Sequence, residues 1–191
     1  MNMRAFHRIL ASVILLLSIF SAPEPVYAEI KNFSVNSSAD TSDADPGNGV
    51  CANSSGQCTL RAAMEEAGSL YPAHTVNIGF NLPYPHTIIL TDNLPQLFAN
   101  VVNENLYRVI IDGNYEFGGF EGSSADTTIS GLQLQKFTNS AIFDVVSGTD
   151  FITNNVIIDN GGSGILLGGS SSNDGTMTIR ATISVTIPLA N

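Results

Sequence analysis

The chain changes its hydropathy rhythm twice. Residues 9–20, ILASVILLLSIF, are almost wholly apolar. Leu60, Ala63, Met64 and Ala67 fall at i, i+3, i+4 and i+7, the spacing of one helix face. From Thr75 onward the rhythm shortens. TVNIGF, TIILT, RVIIDGN, TTISGLQLQ, SAIFDVV, NNVIID, SGILLGG and TMTIRATISVTI are short runs rich in β-branched residues, punctuated by Gly, Asn and Ser. Many short runs separated by turn residues predict an all-β architecture.

Two segments resemble each other internally. ISGLQLQKFTNSAIFDV lies over TNNVIIDNGGSGILLG, with Leu132 and Leu134 over Val156 and Ile158 at an offset of 24. Ala141-Ile142 lies over Gly164-Ile165 at 23, and Met177 and Ile179 follow Val156 and Ile158 at 21. A repeat of this length, with apolar pairs between Gly and Asn turns, suits one coil of a parallel β-helix. A β-sandwich accommodates short strands equally well but does not require a shared offset. Gly131, Asn154 and Asn155 stand just before inward strands, where left-handed turn geometry favours Gly and Asn.

Coils cannot bury their apolar faces alone, so they stack, and the ends of the stack need covers. The stripe Leu60, Ala63, Met64 and Ala67 is expected to cover the N-terminal end and to block edge-to-edge pairing there. Thr59 is placed to N-cap this helix, Gly68 to stop it, and Arg61 with Glu65 to form an i, i+4 pair on its wet side. His74 and His86 stand near prolines and read as loop residues.

Charge and ends set the compartment. Arg4, His7 and Arg8 precede the apolar run, and Val26-Tyr27-Ala28 ends the segment after it. That order is a secretory signal peptide over 1–28. The run is shorter than the ~20 residues of a membrane span, and no later stretch could cross as a helix. Removing the signal leaves five basic and 16 acidic residues, a formal charge of −11. Such a surface repels nucleic acid. In an oxidising compartment Cys51 and Cys58 are expected to form a disulfide. The run from Asp40 to Gly47 gives a weak calcium candidate in Asp40, Asp43 and Asp45, without the Gly and Glu that an EF-hand loop requires. Its alternative reading is a solvated, turn-rich loop.

Cys58 to Ala67, CTLRAAMEEA, preceded by ADTSDADPGNGVC, resembles the CSLREA domain, a short N-terminal module of secreted bacterial proteins. Cys58, Leu60, Arg61 and Ala63 match the signature; Thr59 replaces Ser, and Ala62 stands where the signature has Glu. The resemblance covers about Phe33 to Phe80. It implies a capping module ahead of a right-handed parallel β-helix of pectate-lyase-like fold, and it implies no catalytic centre. The expected organisation is therefore signal peptide over 1–28, CSLREA-like module over 29–80 and β-helix coils over 81–191, with further coils in a longer surface protein.

For function, the expectation is a secreted or cell-surface β-helix without catalysis, in an adhesion or passenger role. Its expected partner is an extracellular glycan or a host or cell surface, with attachment to an outer membrane if a longer chain carries an anchor. The alternative is a polysaccharide-active lyase or hydrolase. Such an enzyme would draw on Arg108, Lys136 and Arg180 and on Asp112, Asp126, Asp144, Asp150 and Asp159. Each of these acids sits beside turn residues, and no catalytic residue is assigned.

Overall fold

The computed structural model describes residues 28–83, 85–122, 126–145, 149–168, 176–180 and 183–185. The segment 1–28 expected as a signal peptide lies, apart from Ala28, outside the described residues, as does the chain from 186 onward. The elements are β1 (Glu29–Val35), α1 (Leu60–Leu70), β2 (His74–Phe80), β3 (His86–Ile89), β4 (Asn100–Val102), β5 (Val109–Asp112), β6 (Phe120–Glu121), β7 (Thr128–Ser130), β8 (Gln133–Gln135), β9 (Ile142–Val145), β10 (Thr149–Thr153), β11 (Val156–Ile158), β12 (Ile165–Gly168), β13 (Thr176–Arg180) and β14 (Ile183–Val185).

Every ladder between these strands is parallel. Sheet A runs β1-β2-β4-β7-β10-β13, sheet B β14-β11-β8-β5-β3 and sheet C β12-β9-β6. From β4 onward successive strands visit A, B and C in turn, and the fold is a parallel β-helix of about four turns. Strand alternation aims every second side chain inward. Phe33, Ile78, Val101, Ile129 and Ile152 stack in register inside sheet A, and Ile88, Ile111, Leu134 and Ile157 inside sheet B. All are buried, and they join Phe120 and Ile142 of sheet C in one core.

The coil spacing is legible in the repeat, but its register is not. Gln133, Leu134 and Gln135 face Val156, Ile157 and Ile158, so Leu134 stacks on Ile157 rather than on Ile158. Leu132 corresponds to the buried Asn155, 23 positions on, rather than to Val156. A one-residue slip inverts every side chain, and three consecutive apolar residues, Val156-Ile157-Ile158, hid it. The offset of 21 also fails. β13 stacks on β10, where Ile179 meets Ile152, and β14 takes the place beside β11. His74 and His86 are not loop residues; they open β2 and β3.

Bends between sheets use left-handed residues. Gly131 (φ +80°) and Asn154 (φ +54°) turn the chain from sheet A to sheet B, and Lys136 and Asp159 (both φ +55°) turn it away from sheet B. TTISGLQLQ is thus two strands bent at Gly131. Asn155 is fully buried, and its Oδ1 accepts from the Leu132 amide at 3.0 Å while its Nδ2 donates to the Ile129 carbonyl at 2.8 Å. Its amide closes backbone groups of the neighbouring coil. Asn155→Ala is expected to orphan both, at about 2–3 kcal/mol in urea unfolding; a loss under about 0.5 kcal/mol would mean that the coil re-pairs them.

The N-terminal end is closed by β1, the loop 36–59 and α1 together. β1 lies in register on β2, from Glu29 on His74 to Val35 on Phe80, so the 29–80 segment supplies two rungs of sheet A and shares the solenoid core. The stripe Leu60, Ala63, Met64 and Ala67 is fully buried in that core. β1, rather than the helix, is the terminal strand of sheet A. Its Lys31–Glu29 pair puts charge on this edge. Thr59 caps α1, accepting from the Ala62 amide at 3.0 Å and donating to the Thr41 carbonyl at 2.5 Å. The Cys51–Cys58 disulfide is present and fixes the loop just before the helix. The helix passes Gly68 and ends at Leu70, where the Tyr71 amide bonds the Ala67 carbonyl.

Arg61 reverses its expected role. It lies 6 % exposed, and its guanidinium grips Asp40 through Nε–Oδ1 at 3.0 Å and a second nitrogen to Oδ2 at 2.7 Å. It also donates to the Asn93 and Asp92 carbonyls at 2.7 and 2.8 Å. Glu65 instead accepts from the Asp43 amide at 2.7 Å, and the buried Glu66 accepts from the amides of Gly47 and Gly49. The acidic loop is therefore pinned to α1 rather than solvated throughout.

Candidate functional site

The outer face of sheet A carries the most organised surface chemistry. Asn32, Asn77 and Asn100 occupy one outward column. Asn77 donates Nδ2 to Asn32 Oδ1 at 3.1 Å, and Asn100 donates to Asn77 Oδ1 at 2.9 Å. Each parallel rung repeats its neighbour at about 4.8 Å, so identical amides in register bond head to tail. The column continues through Thr128, Phe151 and Thr178, paired across β7, β10 and β13. Beside it, Thr153 donates to Ser130 Oγ at 3.0 Å.

Two depressions border this column. A groove of about 440 Å³ is lined by Asn32, Asn77, Gly79, Glu104 and Asn105 among others. A groove of about 640 Å³ lies at the other side, against Asn100, Thr128 and Phe151, and reaches Phe98, Tyr71 and Asp126. Phe151 is 42 % exposed, and the Tyr71 and Phe98 rings approach to 4.7 Å between centroids. Volumes of several hundred Å³ suit a ligand, and rings beside fixed amides and hydroxyls match a polyol with apolar faces.

The acids considered for catalysis are dispersed. Asp126 accepts from the Thr149 amide at 2.7 Å at the rim of the larger groove. Asp150, 1 % exposed, points inward and accepts the Thr127 amide and hydroxyl on Oδ1 at 2.9 and 2.8 Å. Asp144 lies in β9, Arg108 just before β5 and Arg180 at the end of β13.

Asp112, Lys136 and Asp159 do converge, at the bend after sheet B. Lys136 Nζ lies 3.1 Å from Asp112 Oδ2 and 5.8 Å from the Tyr115 ring centroid, and Tyr115 donates to Asp159 Oδ2 at 2.5 Å. Burial alone would raise the Asp112 carboxyl. Bonds from Gln135, the Asn114 amide and Lys136, with the Lys136 charge, outweigh it and hold the group below its usual range. The Asp159 carboxylate raises the Tyr115 hydroxyl. A lowered carboxyl adds stability above its unfolded pKa and loses it as pH falls through the folded value. Wild type is therefore expected to lose more stability than Asp112→Asn between pH 5 and about 3. Parallel pH–stability curves would remove this role.

The calcium candidates Asp40 and Asp43 accept from protein donors. Both Asp40 oxygens serve Arg61, and Oδ2 also accepts from the Thr91 amide at 2.7 Å. Asp43 accepts from the Asp45 and Ala52 amides, both at 2.9 Å. Among the described residues no three His, Cys, Asp or Glu side chains are grouped to hold a metal. Among the same residues no helix is long and apolar enough to cross a membrane.

The amide column escaped sequence reading, although its signal was present: Asn77 and Asn100 are 23 positions apart, the spacing that also links Leu132 to Asn155. Asn32 lies 45 positions before Asn77, because the loop and α1 intervene. No family model, curated protein or solved structure matches this chain.

Proposed function

We propose that the chain is a secreted, noncatalytic β-helix that binds an extracellular glycan on the outer face of sheet A, in an adhesion or passenger role. The signal-like N-terminus and the CSLREA-like segment CTLRAAMEEA support secretion. The observation that carries the glycan reading is the bonded amide column running between two grooves, with Phe151, Phe98 and Tyr71 beside it. The amides are prearranged, so little ordering entropy is lost when a chain of hydroxyls replaces surface water. Exposed rings add contact area for the apolar faces of sugar rings.

The test is a glycan panel presented to the folded mature chain, with Phe151→Ala and Asn100→Ala alongside. Binding without release of reducing ends or unsaturated products, weakened about tenfold or more in both variants, is the expected result. Chain shortening of the bound glycan would reinstate the lyase or hydrolase alternative. Silence across a broad panel would remove the glycan reading.

A further inference from the structure

The larger groove has a charge character that its aromatic lining makes specific. Tyr71, Phe98 and Phe151 line it together with the exposed carboxylate of Asp126, and among the described residues no Lys or Arg lines it. Among the same residues His74 is its one basic side chain, and Glu29 stands 3.7 Å from His74 Nδ1. The chain around the groove carries a strong net negative charge. Ring faces attract cations through their quadrupole, and an acidic, low-dielectric concavity concentrates positive ligands while repelling anions.

We infer that this groove selects glycans bearing protonated amines, such as glucosamine units, over their N-acetylated forms and over uronate chains. The inference rests on the glycan reading above and assigns the groove its ligand charge. The amine would lie between the ring faces and Asp126, where the charge-assisted bond is lost on acetylation. A uronate would place its carboxylate against Asp126 with no guanidinium or ammonium from the lining to receive it.

Calorimetric titration of the mature chain with a glucosamine oligosaccharide, its fully N-acetylated counterpart and a galacturonate oligosaccharide of equal length tests this. The amine form is expected to bind about tenfold or more tighter than the acetylated form, with galacturonate weakest. Asp126→Asn keeps Oδ1 for the Thr149 amide and removes the charge; with folding verified by circular dichroism, it is expected to abolish the preference. Added salt should weaken the amine form selectively. Equal affinity for amine and acetylated forms, or an unchanged preference in Asp126→Asn, overturns the inference and leaves the glycan reading standing. Tightest binding to galacturonate overturns it as well. Binding to none of the three overturns it, and a silent wider panel then removes the glycan reading too.

Discussion

Arg61→Ala is expected to cost about 3–5 kcal/mol, the largest loss of any single side-chain truncation considered. Four interactions end on this guanidinium: two to Asp40 and one each to the Asn93 and Asp92 carbonyls. The pair is almost dry, with side-chain exposures of 8 % and 0 %. Removing the cation leaves the Asp40 carboxylate buried, with Thr91 as the remaining partner of its side chain among the described residues. Desolvating both ions offsets much of the pair's attraction, so the pair itself adds little net stability; the cost of breaking it lies in the orphaned charge. The loss should be local first. A solenoid is stabilised by neighbour contacts, so its end can open ahead of the rest. Hydrogen exchange in Arg61→Ala is expected to accelerate in α1 and β1 before β8 and β11. Arg61→Lys keeps charge but not the planar fork, and should recover less than half of the loss. Uniform acceleration along all coils, or a loss below about 1 kcal/mol, would contradict the assignment of this contact as the clamp of the N-terminal end.

Gly131→Ala should cost about 3 kcal/mol or more, by a different route. At φ +80° an L side chain is strained by roughly 1–2 kcal/mol. In addition, a Cβ there would lie 2.0 Å from the Asn103 carbonyl oxygen and 3.0 Å from its carbon. Those are backbone atoms of the neighbouring coil and cannot rotate away, so the coils must separate, at a further ~1–3 kcal/mol. Gly56→Ala is the control. Its φ is +76°, but nothing lies within 4 Å of the added carbon, so only the strain term applies. Equal destabilisation of the two variants by thermal unfolding would show that conformation alone, not coil-to-coil approach, requires glycine at 131.

These two sites also show what a single sequence reveals. Thr59 as a cap, the Cys51–Cys58 closure and the stripe from Leu60 to Ala67 are local patterns, and each was readable from a few adjacent residues. The coil period was readable because turns recur near 23 positions. The register was not, since Val156, Ile157 and Ile158 are all apolar and either face could point inward. Burial of Arg61 was unreadable for a different reason. Asp40 lies 21 positions away, and the other acceptors are backbone carbonyls that carry no side-chain signal. β1 and β4 went unassigned because EIKNFSV mixes charge with few apolar residues and NVV is only one short rung. The candidate surface suffered most, because it exists only when residues from successive coils align. Asn32, Asn77 and Asn100 carry no signal singly; stacked, they form one bonded column.

We propose that the ligand lies along that column. Hydrogen-exchange footprinting of the chain from Glu29 onward, free and saturated with the tightest glycan from the panel, addresses it directly. Slowed exchange is expected in β2, β4, β7 and β10, centred on Asn77, Asn100, Thr128 and Phe151, with the bend at Asp112, Lys136 and Asp159 unchanged. Protection at that bend, with sheet A unaffected, would contradict it.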